Sequence, residues 1–585
     1  NILLKEINMF DKSIRNKVTL YIISLSLISS FFINIDVLAE SNLSQEPYEI
    51  WQENSVISEI ESSVEKSNTQ EAVNLTNQTV KQENFLFTKA DAIGLYDPTN
   101  GGFEANLWDG SNIEDIAYLI NTAPVESTSS TLTNLVKNVI LTTAAPPDKS
   151  NSDSLTFLNL KSDFLISRGY YKNISQLFSL LNSDEINDIL SDGMIDNLLI
   201  YNQYKRICNS NSNLISERLS DLYFASFCNA MSANKLTLDL NISLMRDDNN
   251  SYNEEYLSLL SEIIYSDEIK AENLKEINLI NLNLLQKYNV DIDKYISINS
   301  PIKFKLFYFL NYKKNNLKKI SIAEELVKKG LVEHKYLAEI YQSFDLSNTK
   351  DAGDDNLALL ERIKIFKDIR KTSSQAELVN KIPEYVSLFS AHGMLDTASL
   401  MIYDKIKIVQ PKPDYIDNAS GICLVFILND DPEKCNEWVS QLNLNSNTLE
   451  LSKAKFYLSL ANGKAIKETN LNQLIDYEGF SDRQKNIIVK YYELITNSKK
   501  ISYWKTPNEL NKVSSITANI KLHNYFESLE NQLGEKIILL NILHGDDNFN
   551  ENDEFSIFLI IDSLFEINEA YAQDYILEYF STYNL

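Results

Sequence analysis

The chain has 585 residues, a formal net charge of −27 and an isoelectric point near 4.7. This charge argues against binding to nucleic acid or to an anionic membrane surface, because both require clustered lysine and arginine. Apolar residues make up 44% of the sequence, enough for a large core, and only 14 glycines and 11 prolines occur. Because both residues interrupt helices, their scarcity predicts an all-α fold.

The first 39 residues have the features of a secretory signal peptide. Basic residues up to Lys17 precede an apolar stretch over Val18–Ile35. Val37 and Ala39 then occupy the small-residue positions that signal peptidase reads. We therefore expect cleavage after Ala39 and a periplasmic protein. The alternative is an uncleaved segment that anchors the chain in the inner membrane facing the periplasm, since a span needs roughly 20 apolar residues.

Composition divides the rest of the chain into four segments. Residues 40–85 are rich in Ser, Glu, Gln and Asn, which predicts a disordered polar tether. Residues 86–148 contain a glycine-rich stretch and two predicted helices, and we expect them to cap the N-terminal end. Beyond them, short amphipathic helices alternate with brief turns. We assign 149–350 and 351–585 to the first and second halves of a helical-repeat array.

The four cysteines fall into two local pairs, Cys208 with Cys228 and Cys423 with Cys435. In an exported chain, local pairs of this kind predict disulfides. Zinc is the competing interpretation, but neither pair has C-x-x-C spacing and no histidine is nearby. Asp431-Pro432 reads as the start of a helix that carries Cys435. Both bridges are therefore expected to connect antiparallel helices.

Several helix–turn–helix units resemble tetratricopeptide hairpins. In two of them a glycine is followed five residues later by a small or apolar residue, as at Gly169/Ile174 and Gly393/Ala398. A strict period of about 34 residues is absent, so the units are tetratricopeptide-like. The resemblance implies an irregular α-solenoid, in which stacked hairpins build one continuous core and offer an extended binding surface.

Two Ser-x-x-Glu patterns and one basic run predict local structure. Ser111 with Glu114, and Ser321 with Glu324, have the spacing of a capping box at a helix start. The run YKKNNLKK at 312–319 is the one local basic cluster. We interpret it as a solvated turn between helices, with an acidic partner as the alternative.

The most distinctive stretch contains Gly101, Gly102, Phe103 and Trp108. It predicts a cap over the first hairpin, because the ends of a repeat array need covering, and the alternative is a recognition loop. This stretch, the N-terminal signal sequence, the tether and the leucine-rich helices together resemble a group of uncharacterised exported helical-repeat proteins of alphaproteobacteria. The resemblance implies architecture and compartment only.

The sequence predicts no catalytic residue, no cofactor and no metal site. The four histidines are far apart and none has the spacing of a metal site or a catalytic triad. Gly463-Lys464 lacks the upstream glycines of a phosphate-binding loop. We therefore expect a non-catalytic scaffold or adaptor of the cell envelope that binds a protein or peptide partner.

The alternative function is a peptidoglycan-processing enzyme or its accessory protein. Soluble lytic transglycosylases are similar in having a long helical superhelix, followed by a catalytic domain with a Glu-Ser pair. Glu527-Ser528 matches that pair, but the Gly-Leu-Met-Gln motif of the family does not follow it. This departure puts a catalytic role of Glu527 in doubt.

Overall fold

The computed structural model describes most of the chain beyond residue 88. The described residues are 89–125, 127–148, 156–182, 186–209, 221–247, 253–348, 356–442, 448–497, 524–529, 532–546, 549 and 551–583. The predicted signal peptide (1–39) and tether (40–85) lie outside them, as does most of the 347–355 segment between the two predicted halves.

These residues form helices, as the sequence predicts, and contain two isolated bridges but no β-strand. The first twelve helices are α1 Lys89–Ala92, α2 Ile113–Thr122, α3 Ser130–Ile140, α4 Phe157–Ser167, α5 Tyr171–Leu180, α6 Asp188–Ile200, α7 Tyr204–Asn209, α8 Asp221–Met231, α9 Lys235–Asp247, α10 Glu254–Tyr265, α11 Leu279–Lys287 and α12 Ile302–Asn311. Thirteen more follow: α13 Leu317–Lys328, α14 His334–Ser343, α15 Leu357–Lys371, α16 Gln375–Ser390, α17 Leu395–Ile406, α18 Ala419–Ile427, α19 Pro432–Leu442, α20 Leu449–Asn462, α21 Glu468–Asp476, α22 Asp482–Thr496, α23 Leu533–His544, α24 Glu554–Ile567 and α25 Glu569–Tyr583. Short 3₁₀ turns occupy Ile292–Tyr295, Leu346–Asn348 and Pro413–Asn418.

Both capping-box predictions are wrong, because each helix has an asparagine as its N-cap instead of the predicted serine. The N-cap of α2 is Asn112, whose Oδ1 accepts from the Glu114 amide at 2.8 Å. The N-cap of α13 is Asn316, so Ser321 lies inside the helix. In α13 the buried face already includes Ile320, which extends the helix one turn before the pattern. An asparagine caps each helix, as this residue does well.

Glycines follow the ends of two helices at the predicted breaks. Gly169 follows α4 with φ of 78°, and Gly393 follows α16 with φ of 64°. These left-handed conformations cost glycine little because it has no Cβ. The chain then turns directly into α5 and α17.

From α4 onwards, most consecutive helices of the described part of the chain pack on each other. The closest neighbours include α5 with α6, α8 with α9, α15 with α16, and α24 with α25. Helix α18 packs on both α19 and α20. Residues 85–585 form one compact unit, whose core is a single cluster of buried apolar side chains. Each hairpin therefore buries its apolar stripe against its neighbours.

Helices near the two ends of the described part contact each other. Helices α2 and α3 pack on α23, and α3 also packs on α25. Ser129 Oγ donates to the Glu578 carboxylate at 2.7 Å, and the backbone amides of Ser130 and Thr131 donate to the same carboxylate. This carboxylate thus satisfies the free amides at the start of α3 from a residue far away in sequence. Nothing in the sequence predicts this contact.

Lys161 interrupts the apolar stripe of α4, and the structure shows why. Its side chain is fully buried, and Nζ donates to the carbonyl oxygens of Asp91 and Ile93 at 3.3 and 2.5 Å. Burial lowers the pKa of this lysine to about 7. Lys161 therefore attaches α1 and the residue that follows it to α4.

Both predicted disulfides are formed. Cys208 of α7 is bonded to Cys228 of α8, with Cα atoms 5.5 Å apart, and Cys423 of α18 is bonded to Cys435 of α19, with Cα atoms 4.7 Å apart. Asp431 caps α19 as predicted, since its Oδ1 accepts from the Lys434 amide at 3.2 Å. Each bridge connects consecutive helices.

Candidate functional site

A cleft of about 840 Å³ opens between α19, α20 and α21. We call it the lysine cleft, and it is lined by Pro432, Glu433, Asn436, Val439, Lys455, Leu458, Ser459, Asn462, Lys464, Ala465, Ile466, Lys467, Thr469 and Asn470. It contains three lysines and one acidic residue, in a chain whose net charge is −27. A cleft of opposite sign concentrates ligands that the rest of the surface repels.

The helices around the lysine cleft are held in place by a disulfide and by packing on neighbouring helices. The Cys423–Cys435 bridge binds α19 to α18, and Cys435 is fully buried beneath the cleft wall. Helix α20 packs on both α18 and α19. Gly463 ends α20 in a left-handed conformation, and the turn that follows carries Lys464 and Lys467 to α21. The two lysines are therefore presented on a short connection between anchored helices.

The electrostatics of the lysine cleft favour an anion. Lys455 is partly buried and its Nζ lies 3.5 Å from Oδ1 of Asn470. Burial, and then the positive charge of Lys467, lower the pKa of Lys455. Lys467 is also the N-cap of α21 and makes no side-chain cap hydrogen bond, so the positive end of that helix adds to the field. A bound carboxylate would relieve the repulsion between the two ammonium groups.

Apolar side chains complete the lysine cleft. Val439, Leu458 and Ile466 line it between the lysines. Val439 is buried and the other two are half-buried. Such a surface can bind the aliphatic part of a peptide while the ammonium groups bind its carboxylates. The combination of ammonium groups and apolar side chains is therefore suited to binding a peptide.

A second basic cleft has a volume of about 690 Å³, and its basic side chains are already paired with acceptors. We call it the paired cleft, and its charged lining residues are Arg168, Lys303, Lys305, Lys329 and Glu325. Glu325 binds Lys305 at 2.6 Å and Lys329 at 3.0 Å. Lys303 binds Asp196 at 3.0 Å, and Arg168 donates to two backbone carbonyls. The cations of the paired cleft are thus already occupied.

The basic run at 312–319 lies beside a third cleft, of about 510 Å³. Lys314 forms an ion pair with Asp291 at 3.2 Å, and Lys318 forms one with Asp293 at 3.1 Å. Lys319 Nζ donates to the carbonyl oxygen of Tyr312. Most of this run therefore holds neighbouring turns in place.

The glycine-rich stretch presents its aromatic rings to the core. Trp108 packs edge-on against Phe157 with ring centroids 5.3 Å apart, and both Trp108 and Phe103 are buried. A side chain at Gly534 would collide with the Trp108 ring, since a Cβ there would lie 2.4 Å from it. Gly101 and Gly102 form the turn before Phe103. Both rings therefore pack in the core.

The residues considered for catalysis are dispersed. Glu527 and Ser528 lie exposed on a short helical segment at 524–528. His544 is fully buried, contacting Thr128 Oγ1 at 2.9 Å and Tyr575 Oη at 3.0 Å, and burial lowers its pKa to about 4. In the described ranges no group of three or more His, Cys, Asp or Glu side chains could hold a metal ion.

Glu324, expected at a helix cap, is instead the centre of a buried polar cluster. Arg362 donates to both of its carboxylate oxygens, at 2.9 and 2.7 Å, and the Tyr341 hydroxyl donates a third bond. His392 Nε2 lies 3.2 Å away. Although burial opposes it, hydrogen bonds from His392 and Arg362 keep the pKa of Glu324 below its usual value. The cluster joins α13, α14 and α15.

Comparison with protein-family models, with curated proteins and with solved structures finds no match for this chain. Among the helices that the structure describes, none has the length and apolar character needed to cross a membrane.

The lysine cleft was missed by the sequence analysis. Gly463-Lys464 attracted notice only as an incomplete phosphate-binding loop. The available signal was the short stretch from Lys455 to Lys467, which holds three lysines and no acidic residue. In so acidic a chain, that local excess of positive charge points to a surface that an acidic partner could bind.

Proposed function

We propose that the chain is a non-catalytic scaffold that binds an anionic segment of a protein or peptide in the lysine cleft. The observation that carries this proposal is the position of Lys464 and Lys467, which form no ion pair with any described residue and flank an apolar lining. Carboxylates of aspartate, glutamate or a C-terminus supply the matching charge.

The repeat-like architecture supports the same proposal. Tetratricopeptide-like hairpins that stack into a solenoid would hold the cleft between successive units. The packing of α19, α20 and α21 fits such a unit, because each contacts the next in sequence. Binding between neighbouring units lets a rigid scaffold recognise an extended partner without rearrangement.

Fluorescence anisotropy with labelled peptides tests this function. The probe is a short peptide of alternating glutamate and leucine, and its partner control replaces every glutamate by lysine. We expect the acidic peptide to bind and its affinity to fall as salt is added, because exposed charges are screened. Equal binding of the two peptides, or none, would remove the proposal.

Matched variants locate the binding. Replacing Lys464 and Lys467 by glutamine should lower the affinity for the acidic peptide by about tenfold, which is about 1.4 kcal/mol of binding free energy. The control variant Lys303→Gln removes a lysine from the paired cleft, where it is bound to Asp196. It should leave the affinity unchanged. An equal loss in both variants would indicate a nonspecific charge effect.

We also infer that this binding takes place in the periplasm. The two disulfides are typical of a protein that folds outside the cytosol. The intact mass of the natively purified chain checks this inference. A chain that begins at residue 40 and lacks free thiols is expected. Retention of residues 1–39 would indicate the membrane-anchored alternative, and four free thiols would contradict export.

A further inference from the structure

The cleft beside the basic run at 312–319 lies where four helices end. Helices α6, α8, α11 and α12 end there, and residues at or just after their last turns line a cavity of about 510 Å³. We call it the amide cleft, because Asn202, Gln286, Asn289 and Asn311 line it with side-chain amides. Its volume lies in the range of pockets that bind small molecules.

Two of the four amides build the wall of the amide cleft. Asn311 Nδ2 donates to Ile200 O at 2.9 Å and to Phe307 O at 2.8 Å, and Gln286 Nε2 donates to Asn311 O at 3.3 Å. Gln286 Oε1 is buried and accepts no hydrogen bond from any described residue. A buried acceptor without a donor is unfavourable, and the hydroxyl group of a ligand is a suitable donor.

The other two amides are available to a ligand. The side chains of Asn202 and Asn289 are exposed and make no hydrogen bond in the part of the chain that the structure describes. Both residues have a left-handed backbone, with φ of 55° and 60°, which asparagine tolerates well. Each amide offers two donors and one acceptor, so the pair can bind hydroxyl groups in either sense.

Two tyrosine rings add apolar surface to the amide cleft. Tyr204 and Tyr312 line it, and both are half-buried. Tyr312 is stacked on the buried Tyr308, with ring centroids 4.6 Å apart. This packing holds the Tyr312 ring in one orientation. Amides beside a fixed aromatic ring suit a saccharide, whose hydroxyl groups need hydrogen bonds while the C–H face of its ring packs on an apolar surface.

The charges of the amide cleft favour a saccharide with an acidic group. Asp291 is its one carboxylate, and it is paired with Lys314 at 3.2 Å. Lys287 and Lys313 also line the cleft, are exposed and form no ion pair within the described ranges. Their positive charge is therefore available to a carboxylate of the ligand.

We propose that the amide cleft binds a saccharide unit that carries a carboxylate. The amides bind the hydroxyl groups of the ring, Tyr312 packs on its apolar face, and Lys287 and Lys313 bind the acid. The lysine cleft has no aromatic lining residue. The two clefts are thus separate sites with different ligands, and this proposal does not depend on the proposed function.

NMR titration of the full chain with three small ligands tests the proposal. Glucuronic acid has both the ring and the carboxylate, glucose has only the ring, and succinate has only carboxylates. We expect glucuronic acid to bind with a dissociation constant of about 1 mM, and the other two at least about tenfold more weakly. No binding of glucuronic acid, or equal binding of glucose or of succinate, would overturn the proposal.

Methyl glucuronide distinguishes the two sources of such a ligand. Its anomeric oxygen is blocked, as in a glycan chain. Affinity equal to that of the free acid would support a unit within a glycan, and a large loss would support a free sugar acid.

Glycine substitutions locate the site without straining the backbone. Asn202→Gly and Asn289→Gly each remove an amide from a left-handed position, and each should lower the affinity for glucuronic acid by about threefold to tenfold. The matched control is Asn497→Gly, which removes an exposed asparagine with φ of 50° after α22, outside the cleft. It should bind as the wild type, and circular dichroism verifies that all three fold. Equal losses in the three variants would overturn the proposal.

Lysine variants separate recognition of the acid from recognition of the ring. Replacing Lys287 and Lys313 by glutamine should lower the affinity for glucuronic acid to that for glucose and leave glucose unchanged. Replacing Lys464 and Lys467 by glutamine should change neither affinity. Loss of glucuronic acid binding in this second variant alone would place the sugar in the lysine cleft and overturn the proposal.

Discussion

The lysine cleft and the paired cleft have a similar content of basic residues but a different electrostatic state. In the paired cleft, Glu325 and Asp196 already bind three of the lysines. In the lysine cleft, Lys464 and Lys467 form no ion pair within the described ranges, and Lys455 is beside an amide. Composition alone does not distinguish the two. A basic cleft therefore attracts an anionic ligand only with the positive charge that neighbouring carboxylates do not neutralise.

The largest effect is expected where a paired charge is buried most deeply. Arg362→Met leaves the Glu324 carboxylate buried without its bidentate partner. It should lower the free energy of unfolding by about 3–5 kcal/mol, measured by chemical denaturation. His392→Gln is the matched control, since the His392 ring is 46% exposed and should contribute less than about 1 kcal/mol. Equal losses would contradict the assignment of Arg362 as the main partner.

The disulfides separate stability from binding. Replacing Cys423 and Cys435 by alanine opens a short loop and should cost about 2–4 kcal/mol. Because Cys435 anchors α19, the same variant should also bind the acidic peptide more weakly. Replacing Cys208 and Cys228 is the control, and it should reduce stability without changing peptide affinity. Denaturation and anisotropy on both variants check this, and unchanged affinity in both would separate the cleft from its bridge.

Asp396 and Asp574 have pKa values that burial and neighbouring carboxylates raise. Burial, and then Glu578 and Asp574, raise the pKa of Asp396 to about 7. Burial, and then Asp430 and Glu578, raise that of Asp574 to about 6. These values exceed the unfolded value, so the folded chain holds the protons more tightly, and stability falls as pH rises from about 4 to 7.

Asp396→Asn should reduce that pH dependence. The hydrogen bond that lowers the Asp396 pKa comes from Ser130 of α3, so the variant changes the contact between α3, α17 and α25. Between pH 5 and pH 8, the free energy of unfolding of the variant should rise by about 2 kcal/mol relative to that of the wild type. Denaturation of both proteins at the two pH values measures the difference. A parallel pair of curves would show that Asp396 does not titrate in this range.

The smallest stability effect should produce the clearest gain of binding. Glu325→Gln removes the carboxylate that binds Lys305 and Lys329, at a cost of about 1 kcal/mol. Lys305 and Lys329 would then lack the negative charge of Glu325. We expect calorimetric titration to find a second, weaker site for the acidic peptide. A stoichiometry of one in this variant would contradict the comparison between the clefts.

The sequence predicted what depends on local pattern. The scarcity of glycine and proline indicated helices, cysteine spacing indicated the two bridges, and Asp431-Pro432 marked the start of α19. Helical periodicity identifies the buried face but not the neighbour that covers it. For that reason the contact of α3 with α25 was not predicted.

The clefts escaped prediction for the same reason. The lysine cleft draws its lysines from α20 and from the turn before α21, and the paired cleft depends on the contact of Glu325 with Lys305 of another helix. Side-chain pairing between helices decides which charges stay available. Lys161 shows the converse, because a lysine in an apolar stripe proved to be fully buried. Local spacing carries no information about either outcome.

Zero-length cross-linking of the acidic peptide to the full chain tests whether the lysine cleft is the binding site. A carbodiimide joins a carboxylate to an amine only where the two are in contact, and mass spectrometry then identifies the lysine. We expect cross-links at Lys455, Lys464 and Lys467 that disappear at high salt. Cross-links at Lys303, Lys305 and Lys329 of equal or greater yield would contradict it.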